Sequence, residues 1–258
     1  GIALSVSTAA PLANALGWQN TLSVFGGIAL IGAIAWAFFG VDNSDARSSG
    51  PRISRTEVLD VLRNRTILLL VAADALVWMQ YTALTTWLPA FYHEVRGMSL
   101  TESGFITGLL PFVGIFAVLV GGFLPLRFAS KKPFFIIPGI LLVLGGLGSF
   151  LMAGTPGIFI AVLLLGIGTW SYTPTLLSLP MELPGMTQDK VAVVWGTFVT
   201  VSGIGMFVSP ITVGAIRDIT GGYLPGFIIF AVGACFLVIA GVVLPKTPQT
   251  TGASDRDV

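Results

Sequence analysis

PFFIIPGILLVLGGLGSFLMAGTPGIFIAVLLLGIGTWSYTPTLLSLPM, residues 133–181, contains no charged side chain. About 20 apolar residues suffice for one α-helix to cross the hydrocarbon core of a bilayer. This run therefore predicts two crossings, with a reversal between residues 153 and 157. Residues 1–41 are also uncharged and predict two more. Working outward, the chain divides into eight apolar stretches: 1–16, 19–41, 66–92, 104–126, 134–153, 157–180, 191–216 and 224–244. The fold class this predicts is all-α, a polytopic transmembrane helix bundle.

Basic residues sort into alternate gaps. Those at 42–65, 127–132, 181–190 and 245–258 hold eleven of the thirteen Lys and Arg, leaving only Arg96 and Arg217 for the others. Short loops rich in Lys and Arg stay on the cytoplasmic side. The pattern predicts Arg52 and Lys131 on that side, Glu102 and Asp218 on the other, and a cytoplasmic C-terminus at the cell membrane.

Composition agrees. Charged residues are 10% of the chain, against about 25% in a soluble domain, hydrophobic residues are 54%, and the mean hydropathy is +0.91. The basic residues anchor loops and form no stripe, so lipid headgroups rather than nucleic acid are the expected partners. The lone Cys235 allows neither an intrachain disulfide nor a cysteine metal site. A start at Gly-Ile-Ala with no basic n-region reads as a position inside a larger protein, not as a signal peptide.

Pro11, Pro89, Pro111, Pro174 and Pro210 are the kink candidates. The longest polar stretch, DNSDARSSGPRISRTEVLDVLRNR at 42–65, opens as a Ser/Gly/Pro linker. Its second half reads either as a short amphipathic helix at the membrane surface or as a solvated loop.

GGFLPLRFASKK (121–132), between two spans, resembles the loop signature of the major facilitator superfamily. Gly122, Leu124, Arg127 and Lys131 match it, whereas Leu126, Ala129 and Ser130 stand where the signature has Asp, Gly and Arg. SPITVGAIRDITGGYLPGF (209–227) resembles the end of that fold's eleventh helix, and Gly17-Trp18 resembles the turn after its fifth. YTALTTWLPAFYHEVRGMSLTESG (81–104) is similar to the seventh helix of prokaryotic small-anion carriers of the cyanate and nitrate type. The antiporter pattern of helix five is not met, because Asn14 and Ala15 follow Pro11-Leu12-Ala13.

The resemblance implies that residues 1–41 are the last two helices of an N-terminal bundle, the first of them truncated. Residues 42–65 would be the central cytoplasmic loop, 66–244 a six-helix C-terminal bundle and 245–258 a cytoplasmic tail. It also implies secondary transport of a small solute by two bundles rocking about a central site, with the missing N-terminal half as partner.

Asp74 is the one ionisable residue well inside an apolar run, where a carboxylate costs about 2.5–3.5 kcal/mol on insertion scales. Asp74, Trp78, Tyr81, Thr82 and Thr85 share a helical face, with an aliphatic face opposite. That face is read as lining a cavity, with Asp74 as a proton or cation site; the alternative is a structural aspartate. Trp170, Tyr172, Thr173 and Thr175 cluster around Pro174, where a break would present hydroxyls and carbonyls to a substrate. Trp195 and Phe198 offer an aromatic wall, and for each aromatic the alternative is a lipid-facing position or interhelical packing. His93, Glu94 and Arg96 read as an interfacial cluster. Glu182 and Asp189 are expected to pair with Lys190 or to be solvated. No Gly-Lys-Ser/Thr loop, His-x-x-x-His or Gly-x-Ser-x-Gly occurs, so no cofactor, metal or enzymatic activity is expected. The rival to transport is a membrane sensor or assembly protein that retains the fold.

Overall fold

In hydrocarbon the backbone must satisfy its own N–H and C=O groups, and this chain does so in helices. The computed structural model describes residues 8–9, 11–13, 15–40, 54–128, 130–183 and 185–244, and among them there is no strand. Most of the expected first span, the loop through 53 and the tail from 245 lie outside the described residues.

Among the described residues seven helices are long and apolar enough to cross a membrane. They are α1 (Trp18–Phe39), α3 (Arg65–Glu94), α4 (Leu100–Phe123), α5 (Pro133–Leu151), the pair α6 (Thr155–Ser171) and α7 (Thr173–Glu182), α8 (Gln188–Thr220), and the pair α9 (Leu224–Gly233) and α10 (Cys235–Val243). A short helix, α2 (Arg55–Arg63), precedes α3. Of the kink candidates, Pro89, Pro111 and Pro210 sit inside continuous helices, while Pro174 lies in the first turn of α7. A second break, at Ala234 between α9 and α10, has no proline to announce it.

Several helices outrun the apolar stretches because polar caps extend them. The Thr187 hydroxyl accepts from Lys190 N–H to start α8, and Gly221, with φ 76°, ends it. Its 33 residues reach about 50 Å at 1.5 Å per residue, well beyond the hydrocarbon core.

α3 is the central column, touching α4, α5, α6, α8, α9 and α10. Its apolar window is 61% buried, whereas that of α1 is 0% buried. Glycines allow the backbones to approach closely. A Cβ at Gly145 would strike the α6 backbone at Ala161 and Leu165, and one at Gly121 would overlap the carbonyl of Ser171. α3 and α8 run parallel along a seam. Gly205 lies against Met79, Trp87 Nε1 donates to the Pro210 carbonyl at 2.9 Å, and Gly214 receives the Trp87 ring.

The described parts of the alternate gaps lie at one end of the bundle. At the basic end Lys131 pairs with Glu182, Lys190 with Asp60 at 3.2 Å, and Lys132 Nζ donates to the Val242 carbonyl at 3.0 Å. Lys190 thus reaches α2 rather than its neighbours in sequence. At the opposite end Glu94 Oε2 accepts from Arg217 at 2.7 Å and from the Tyr223 hydroxyl at 2.8 Å, while Arg217 lies over the Tyr223 ring at 4.5 Å. Burial first, then the bond to Glu94, pushes the Tyr223 hydroxyl up to about 12. Arg96 donates to the Phe150 carbonyl, and a His93 ring nitrogen sits 2.8 Å from the Met98 carbonyl.

Candidate functional site

Asp74 lies nine residues into α3, roughly 13 Å from its start at 1.5 Å per residue, and is 5% exposed. Its carboxylate accepts two hydroxyl bonds, from Tyr172 Oη to Oδ1 at 2.8 Å and from Ser202 Oγ to Oδ2 at 2.5 Å. Among the described residues no ion pair reaches it. One carboxylate thus joins α3 to α8 and to the junction of α6 with α7.

Each donor has a local reason to be there. Pro174 has no N–H to offer the Trp170 carbonyl, the helix breaks at Tyr172, and the fully buried phenol turns to Asp74. Ser202 shares a buried face of α8 with Phe198, Gly205 and Ser209. Because Gly205 admits Met79 and the Ala75 carbonyl so closely, a side chain as short as serine reaches α3.

Above the carboxylate, Trp78, Tyr81 and Trp170 form a three-ring cluster with centroids 5.3–6.0 Å apart, every pair edge to face. The Trp170 ring lies against Gly114, where a Cβ would overlap it. Its Nε1–H is buried without an acceptor among the described residues; the Tyr81 hydroxyl is near but outside hydrogen-bond geometry. Thr82 donates to the Trp78 carbonyl at 2.8 Å, which leaves Ser209 to donate to Thr82, also at 2.8 Å.

The structure therefore assembles Asp74, Trp78, Tyr81, Trp170 and Tyr172, with Thr82 at the edge. Thr85 bonds only to carbonyls of its own helix and Thr173 only to Thr169 O. Trp195 is half-buried two turns from Ser202 and makes no ring contact or hydrogen bond with the cluster. Sequence reasoning missed Ser202 and Ser209, whose spacing along one face of α8 was the available signal. It also took the far side of α3 as aliphatic. Gln80 is there, fully buried, donating to the Leu142 carbonyl at 3.1 Å, with its Oε1 unpartnered among the described residues.

In the loop segment, Gly122 is nearly open, with Pro174 Cβ the nearest atom to an added Cβ at 4.0 Å; its neighbour Gly121 makes the close approach. Leu124 and Arg127 belong to a 3-10 turn, both exposed, and Lys131 is the member that pairs, with Glu182.

The family model described as the Major Facilitator Superfamily matches residues 1–210. Among curated proteins, the chain is 26% identical over 236 residues to a probable sulfoacetate transporter of Cupriavidus necator, a match covering 81% of this chain and 53% of that protein. It is 24% identical over 251 residues to a probable nitrate transporter of Staphylococcus epidermidis, covering 95% and 62%. It is 30% identical over 119 residues to a probable nitrate/nitrite antiporter of Thermus thermophilus, covering 46% and 26%. The chain spans about half the length of the curated relatives it matches.

Proposed function

The chain belongs to the major facilitator superfamily, and on that premise we propose that α3–α10 form one bundle of a secondary transporter that moves a small anion by alternating access. Asp74 takes up and releases the coupling proton. The observation that carries this reading is the buried carboxylate held by two hydroxyls from two other spans, with no ion pair to it among the described residues.

Ionised, Asp74 accepts from both Tyr172 and Ser202. Protonated, it becomes a donor at one oxygen, and one hydroxyl must turn round or leave. Because Tyr172 sits at the α6–α7 break, that exchange acts where the span is weakest, and proton binding biases the equilibrium between the two access states. Nitrate and sulfoacetate in the relatives' names support an anionic substrate. The described spans carry no Lys or Arg in their interiors, so the anion's charge is met outside them. Residues 1–41 belong to the facing bundle, 42–65 connect the two, and 245–258 form the tail on the cytoplasmic side.

Proteoliposomes of the full-length protein test the function. A small oxyanion such as nitrate or a sulfonate should accumulate when a proton gradient is imposed, and absence of flux for every small anion tried would sink the reading. Sidedness has its own test. In a Cys235→Ala background, Glu102→Cys and Asp218→Cys should react with an impermeant outside reagent while Arg52→Cys and Lys131→Cys do not; equal labelling of positions 52 and 102 would reverse the conclusion.

A further inference from the structure

We propose that the outward face of α2, formed by Arg55, Leu59, Leu62 and Arg63, docks anionic phospholipid headgroups in the leaflet at the basic end of the bundle. The inference needs the chain to span a membrane and does not depend on what is transported.

α2 is held in place as part of the folded bundle. Val61 is 2% exposed and Val58 packs beside it on the core, while Asp60 pairs with Lys190. Asn64 then turns the chain with an extended backbone, and its Oδ1 accepts from the N–H groups of Thr66 and Ile67 to start α3. The helix is thereby fixed at the corner where the chain enters the membrane.

Helical geometry puts Arg55, Leu59, Leu62 and Arg63 on one face, at i, i+4, i+7 and i+8. That face is turned away from the Val58–Val61 stripe, with Asp60 on the far flank. Leu59 and Leu62 are each 42% exposed, as is Leu68 one turn into α3. Neither Arg55 nor Arg63 has an ion pair among the described residues, whereas Asp60 is already matched by Lys190. Two uncovered leucines flanked by two uncommitted guanidiniums suit a membrane interface. The leucines enter the boundary of the acyl chains, and the planar guanidiniums bind phosphate in pairs of hydrogen bonds. The positive charge selects anionic headgroups over zwitterionic ones.

The test uses the full-length protein with Cys235→Ala, in nanodiscs of phosphatidylcholine alone or mixed with phosphatidylglycerol. A spin label at Leu62→Cys should be accessible to oxygen and shielded from a polar relaxation agent, and more so with phosphatidylglycerol. Native mass spectrometry should show retained phosphatidylglycerol that excess inorganic phosphate does not displace. Each arginine near a charged membrane surface contributes about 1 kcal/mol, or about fivefold in affinity. Arg55→Gln with Arg63→Gln should therefore reduce retention about thirtyfold, leaving the melting temperature unchanged because both side chains are exposed. Exposure of the label to the polar agent in both lipids would overturn the proposal in favour of a solvated face. Shielding from both agents would overturn it in favour of a covering protein segment, and retention that survives the double substitution would overturn the role of the arginines.

Discussion

Asp74→Ala is expected to leave the Tyr172 and Ser202 hydroxyls buried without their acceptor. A buried unsatisfied group costs roughly 1–3 kcal/mol, so the bundle should lose on the order of 2–6 kcal/mol, read as a large fall in thermal unfolding temperature in detergent. Asp74→Asn separates this structural burden from function. Its amide oxygen still accepts one hydroxyl, and the other can rotate to accept from the amide nitrogen, so the variant should fold and reach the membrane. It cannot exchange a proton, so uptake by the full-length protein should lose its dependence on pH. Wild-type pH dependence in folded Asp74→Asn would end the coupling proposal and leave Asp74 as a structural knot.

Gly121→Val should be the most damaging change on α4. A Cβ there meets the Ser171 carbonyl, carbon and Cα, all backbone, so no side-chain rotation relieves the overlap and α4 must move off α6. Overpacking costs about 1–3 kcal/mol where side chains can adjust; with only backbone in the way, about 3 kcal/mol or more is expected, with Tyr172 pulled away from Asp74. Gly122→Ala, one residue along, finds its nearest neighbour at ordinary contact distance and should change stability by less than about 1 kcal/mol. Equal loss in the two variants would show that the α4–α6 approach does not set the position of the break.

The contrast between these two glycines shows what the sequence can express. Both stand in the same Gly-Gly pair, and matching to a signature selects Gly122, yet contact depends on which one faces α6. The spans and their alternation were legible because hydropathy and Lys/Arg placement are one-dimensional properties. Asp74 was legible because a lone charge in an apolar run is conspicuous, and the break at Tyr172 because Pro174 removes a donor. Ser202 was hidden among other small residues of α8. What selects it is the depth to which Gly205 lets α8 approach α3, a relation between residues far apart in the chain. The break at Ala234 had no local marker, and the pairing of Lys190 with Asp60 rather than Glu182 or Asp189 likewise required knowing where α2 lies.

The fastenings along the bundle have a mechanical consequence. Ion pairs and hydrogen bonds tie the helices outside the hydrocarbon at one end through Lys131, Lys132 and Lys190, and at the other through Glu94, Arg217 and Tyr223. Between them a single carboxylate ties three spans together. A set of rods clamped at both tips resists splaying at either tip. On the proposed function the six spans move as one stiff unit, and Asp74 is the internal fastening that a proton would undo.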